Sequence, residues 1–145
     1  MSAYWPVVQA RLVALLPTLL PAGVVVFDGP SAGGEKGTKQ YVTVGATSDG
    51  AGGRYDQPDS PTDTLRTETG DVVCELVDWS GDVDIATKRN EVFAWANALE
   101  ASIRADQTLG VLPKGSTTTL SGDLVMTATK AALALSVTYF VPNSP

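Results

Sequence analysis

The sequence predicts a single α+β domain in which a mainly antiparallel sheet of four to five strands is packed by an N-terminal helix and a long central helix. Three observations carry this. Apolar residues recur at helical spacing in two separated stretches. Several short runs are β-branched or alternate apolar with polar residues, and neighbouring strands placed for hairpins outnumber possible crossover units. At 145 residues the chain has the length of one domain. A chain of this size buries about two thirds of its unfolded surface, enough for a core without staples. With 43% hydrophobic and 18% charged residues, the composition is that of a folded protein rather than a disordered one.

The first element is the N-terminal helix. Val8, Leu12, Leu15, Leu16 and Leu19 form its stripe, with Gln9 and Arg11 off it. Ser2 is placed to cap it, and Pro6 falls in a first turn that tolerates a missing N–H. The apolar start is not read as a signal peptide, because its only early cation, Arg11, lies inside the run. Pro17 and Pro21 interrupt it well before the roughly 20 residues that a membrane span needs. No targeting segment and no membrane partner are expected.

Val24–Phe27 is a short strand bounded by turn residues, and Gln40–Ala46 alternates as a half-buried strand does. Between them, Gly29–Gly37 reads as a flexible turn. From Thr47 to Gly70 the chain is poor in aliphatics and dense in Gly, Asp, Thr and Pro, so a long flexible loop at 47–70 is expected within the single domain 1–145. Asp71–Trp79 is apolar on both parities, as a strand covered on both faces would be. The central helix spans Ile85–Arg104, with Ile85, Val92, Trp95, Ala96, Leu99 and Ile103 on one stripe and Lys88, Arg89, Glu91 and Glu100 mostly off it. Asp82 and Asp84 stand where a helix start favours acids. Ser116–Thr127 and Ala132–Val141 complete the sheet.

Composition excludes much chemistry. Without histidine there is no Ser–His or Cys–His pair and no imidazole base. The single Cys74 permits neither an internal disulfide nor a cysteine-rich zinc site, and it reads as a small hydrophobe in a strand. Gly29–Thr38 contains Gly, Lys and Thr after a strand, but Glu35 and Gly37 interrupt the Gly-Lys-Ser/Thr contiguity of a phosphate loop, and a strand follows instead of a helix. The Asp sets 56/59/63 and 78/82/84 lack the spacing of a calcium loop. Carboxylate-pair glycoside hydrolysis lacks an evident sugar platform. No catalytic residue, cofactor site or metal site is assigned.

Charge is distributed unevenly. The net charge is −6. Asp49–Asp84 holds ten acids and two bases, a net −8, whereas the rest of the chain holds six acids and eight bases, a net +2. A solvated loop explains this most simply. The sharper expectation is an acidic loop, Asp56, Asp59 and Asp63, that faces a partner or lines a pore through which DNA must slide without sticking.

The run Val73–Asp82 (VCELVDWSGD), the long helix containing Arg89, and Ile103–Gly110 (IRADQTLG) together resemble tail terminator proteins of long-tailed, siphovirus-type bacteriophages, especially those of actinobacterial hosts. At the front, Val26–Pro30 (VFDGP) and Tyr41–Gly45 (YVTVG) agree with this resemblance, as does the final β-hairpin ending near Val141. Thr47–Gly70 has no counterpart in it.

The resemblance implies a small α+β fold with helices on an antiparallel sheet and no catalytic residues. It implies a homo-oligomeric ring, usually a hexamer, at the tail–neck junction of the virion, made in the host cytoplasm. Such a ring caps the tail tube, ends its polymerisation and meets the head-side connector or neck protein, while DNA passes its lumen without specific binding. Trp79, Asp82, Asp106, Leu109 and Gly110 become candidate fold or interface positions, although core packing is the favoured account of Trp79 and Trp95, and a turn after the helix that of Leu109–Gly110. The alternatives are another neck or connector subunit, a ligand-binding module using the Gly29–Gly37 and Thr47–Gly70 loops as a lid, and metal-assisted hydrolysis by the acidic loop.

Overall fold

A computed structural model describes residues 3–29, 39–47, 52–56, 66–79, 84–127 and 129–144. The element order is α1 (Trp5–Leu19), β1 (Val25–Asp28), β2 (Gln40–Val44), β3 (Gly53–Asp56), β4 (Arg66–Asp78), α2 (Ile85–Ala105), β5 (Thr117–Met126) and β6 (Ala131–Ser144). The fold is α+β, as expected, with the strands in one six-stranded sheet of order β1-β2-β4-β6-β5 and β3 paired to β4.

The sheet is larger than the sequence suggests because part of the presumed loop is strand. Within 47–70, Gly53–Asp56 forms β3 and Arg66–Gly70 forms the first part of β4. Their Gly, Asp and Glu residues are weak strand formers, and pairing supplies what propensity does not. Arg54 lies opposite Asp71 and Asp56 opposite Thr69. Thus β4 runs 13 residues down the middle, with β2 and β3 end to end on one side and β6 along the other. The register on β6 shifts between Arg66 and Glu68, where Pro142 cannot donate to the ladder. Among the described residues the strand pairs are antiparallel except β1 with β2, and an isolated bridge between Ala46 and Cys74 is also parallel.

Both helices pack on one face of the sheet. Val8, Leu12 and Leu16 of α1, together with Val92, Trp95 and Leu99 of α2, enclose a core with Val42, Val72, Cys74, Leu76, Leu133, Leu135 and Val137. Strand residues at the intervening positions point the other way. There Tyr41, Val77 and Ala132 form a second buried cluster with Phe27 against it. Residues of β4 are therefore covered on both faces, as its two-parity apolar pattern implies.

Two helix details differ from expectation. Pro17 does not end α1: its ring removes the N–H that would bond the Val13 carbonyl, yet the helix continues to Leu19. The chain turns extended at Leu20, the residue before Pro21. In α2, Lys88 belongs to the buried stripe, four residues before Val92 and seven before Trp95, and is only 2% exposed. Its stem crosses the apolar layer, and its Nζ donates to the Thr129 carbonyl at 2.8 Å.

Candidate functional surfaces

The acidity of Asp49–Asp84 does not translate into a uniformly acidic surface. Glu68, Glu75 and Asp78, all on β4, are 1%, 8% and 0% exposed. Asp71 is half-buried, and its Oδ1 accepts the Arg54 N–H at 2.8 Å. Asp56, at the end of β3, is exposed beside Arg54, Thr69 and Thr138 around a polar depression of about 250 Å³. Asp59, Asp63 and Asp82 lie outside the described residues, so only Asp56 of the expected acidic loop has a described position.

Glu68 instead works inside the fold. Its Oε2 accepts the Tyr4 N–H at 2.8 Å and the Tyr139 hydroxyl at 2.6 Å. Tyr4 is the N-cap of α1 and makes no side-chain cap bond of its own. Glu68 therefore supplies from β4 an acceptor at the positive end of the helix. Trp5 Nε1 donates to the Asp71 carbonyl at 2.7 Å, fixing the same turn to the same strand. Gly70 makes room for this arrangement, since a Cβ there would stand 2.6 Å from the Tyr139 hydroxyl oxygen. The expected local cap, Ser2, lies outside the described residues.

The Ile103–Gly110 phrase forms the end of α2 and a tight turn. Asp106 is the C-cap, and its Oδ1 accepts from the Thr108 N–H at 3.0 Å and from the Thr108 hydroxyl at 2.6 Å. The two Thr108 bonds hold the Asp106 carboxyl below the usual Asp value. Leu109 has φ 56° and Gly110 φ 75°, so the chain crosses the left-handed region at two successive residues. Leu109 is nevertheless buried at 4% exposure, with its carbonyl accepting Arg11 Nε at 2.8 Å. The Leu109 carbonyl thus ties the turn after α2 to α1, while Asp106 and Gly110 shape that turn. Trp79, just beyond β4, is 39% exposed, and its backbone N–H donates to the Lys39 carbonyl at 2.9 Å.

A polar group that periodicity misses sits under the first half of α2. Asp78 points from the helix side of β4, and Gln40 is its cross-strand partner on β2. Gln40 Nε2 donates to Asp78 Oδ2 at 3.2 Å and to Glu91 Oε2 at 2.5 Å. The hydrogen bond with Asp78, then desolvation and the Asp78 charge, raise the Glu91 carboxyl above the usual Glu value, while Gln40 opposes the shift. Helical spacing assigns Glu91 to the outer face. Only the strand pairing brings Gln40 and Asp78 beneath it.

A groove of about 260 Å³ runs between α2 and the β5–β6 pair, lined by Phe93, Leu120, Leu124, Leu133 and Leu135 together with the polar Asn97, Glu100 and Ser121. On the face away from the helices, one row crosses the sheet through Val25, Tyr41, Val77, Ala132 and Val125. Its centre is buried, while its end residues Val25 and Val125 are 42% and 62% exposed. Burial pushes the Cys74 thiol up to about 12, removing the thiolate that nucleophilic chemistry requires. Among the described residues no group of three or more His, Cys, Asp or Glu is placed to hold a metal ion, and no helix is long and apolar enough to cross a membrane.

No family model matches the chain, and no curated protein matches it. Among solved structures it is similar to a chain from the "Virion of native gene transfer agent (GTA) particle", at 20% identity and a TM-score of 0.44, covering 94% of this chain and 91% of that one.

Proposed function

We propose that the protein is a structural virion subunit that assembles into a ring, six-membered by the resemblance, which caps a phage tail tube, ends its polymerisation and joins it to the head-side connector. The observation that carries this reading is the set of sequence phrases Val26–Pro30, Tyr41–Gly45, Val73–Asp82 and Ile103–Gly110, taken in order along an α+β chain. The topology is compatible with it. Among the described residues β1 and β5 are opposite edges of the sheet, and a head-to-tail ring requires two different contact surfaces on each copy. In this reading Asp56, Asp59 and Asp63 face the lumen, where negative charge repels DNA phosphates, and the turn at Asp106–Gly110 keeps the two helices in fixed relation.

Light scattering coupled to size exclusion, followed by electron microscopy of the largest species, tests the proposal. The expected result is a closed ring, or monomers that convert to one as concentration rises. Monomers at every concentration, with no ring on tail tubes added in trans, would overturn it.

A further inference from the structure

We propose that Asp78 and Glu91, bridged by the Gln40 side-chain amide, form a proton-dependent latch that holds the first half of α2 against β4 and β2. This inference does not depend on the ring. Asp78 is fully buried on the helix side of β4, and Glu91 reaches it from the second turn of α2. One Gln40 nitrogen donates to both carboxyl groups. Two ionised carboxylates only accept, and here both lie within reach of one amide nitrogen, so a proton taken up by the pair removes their like-charge repulsion. With that proton present, the three side chains close a set of bonds linking three elements. Without it, two like charges lie within reach of one nitrogen, with Asp78 fully buried and Glu91 half-buried above it.

Among the described residues the charged groups on the surrounding elements are few. Asp84, the N-cap just before α2, adds negative charge there, and the Lys88 ammonium on α2 is engaged with the Thr129 carbonyl. Lys39 precedes Gln40 on the β2 side, and Lys130 precedes Ala131, the β6 partner of Asp78. The proton on Glu91 is held more tightly in the folded chain than in an unfolded one. The folded state therefore binds more protons in that window, and the stability contributed by the latch falls as pH rises from the ordinary Glu value through the raised one.

Carboxyl carbon NMR titration of the full chain, with amide exchange across residues 85–92 corrected for its intrinsic pH dependence, tests the latch. Glu91 should titrate above an ordinary Glu, and protection across 85–92 should fall several-fold between about pH 4 and pH 7. Glu91→Gln replaces the shared proton with a permanent N–H donor and leaves Asp78 in place. In that variant the pH-dependent loss across 85–92 should disappear while the fold is kept. An ordinary or lowered Glu91 midpoint, or an unchanged loss in Glu91→Gln, would overturn the proposal. The wild-type titration decides the matter even if the variant folds poorly.

Discussion

The two helices begin in opposite ways. α2 is started by its own sequence: Asp84 precedes it, and its Oδ1 accepts from the Thr87 N–H at 2.9 Å and from the Thr87 hydroxyl at 3.1 Å. α1 is started by another part of the molecule. Its N-cap, Tyr4, offers no side-chain cap, and the acceptor comes from Glu68, 64 residues later. The α2 cap is a short-range device that forms with the first turn. The α1 cap exists only once β4 is paired with β6 and Tyr139 stands across from Gly70. A helix start can therefore be a property of the segment or of the completed sheet, and in this chain one of each occurs.

The largest expected effect is at Glu68. Glu68→Ala leaves the buried Tyr139 hydroxyl and the Tyr4 N–H without this acceptor, so stability should fall by about 3 kcal/mol in denaturant unfolding. Backbone exchange in the first turn of α1 should accelerate with it, while the start of α2 is unaffected. A loss confined to α2 would break the comparison.

Gly70→Ala attacks the same cap from behind. The added Cβ would meet the Tyr139 ring and hydroxyl within 2.8 Å, and neither can move freely while the hydroxyl is bonded to Glu68. A cost of about 2 kcal/mol is expected. Combined with Tyr139→Phe, the two effects should be non-additive, because the residues share one contact.

The smallest effect is at Asp84, which lies in solvent. Asp84→Ala should cause a measurable but lesser fall in stability than either change above, with fraying limited to the start of α2. The Thr87 backbone and side-chain bonds hold the Asp84 carboxyl below the usual Asp value. Its contribution is therefore present above the ordinary Asp pKa and is lost as pH falls through the depressed one. Asp84→Asn, which retains an acceptor, should keep most of the cap and lose this acid dependence. Stability curves of the two variants at neutral and acid pH separate these outcomes.

Legibility in the sequence follows the same division. The stripes Val8-Leu12-Leu15-Leu16 and Val92-Trp95-Ala96-Leu99-Ile103 are buried as their spacing predicts. Lys88, set among the residues mostly off the stripe, in fact obeys that spacing, four residues before Val92, and is buried with it. β3 and the front of β4 were hidden because Gly53–Asp56 and Arg66–Gly70 contain few apolar residues, so no alternation marks them. The acids of β4 were equally hidden, since charge density in a sequence does not reveal which carboxylates will find partners inside.

By itself the sequence determined what depends on neighbours a few residues away. That includes the two amphipathic helices, the Asp84 cap, the Asp106–Thr108 turn and the pairing of β5 with β6 through a short connection. The tertiary structure alone decided the parallel pairing of β1 with β2, the end-to-end placement of β2 and β3 along β4, the capping of α1 by Glu68 and the meeting of Gln40, Asp78 and Glu91. The physical reason is range. A turn or cap bond closes within a few residues at little entropic cost, whereas Tyr4 and Glu68, or Glu68 and Tyr139 at 71 residues, meet only after the hydrophobic core has offset the cost of ordering the intervening chain.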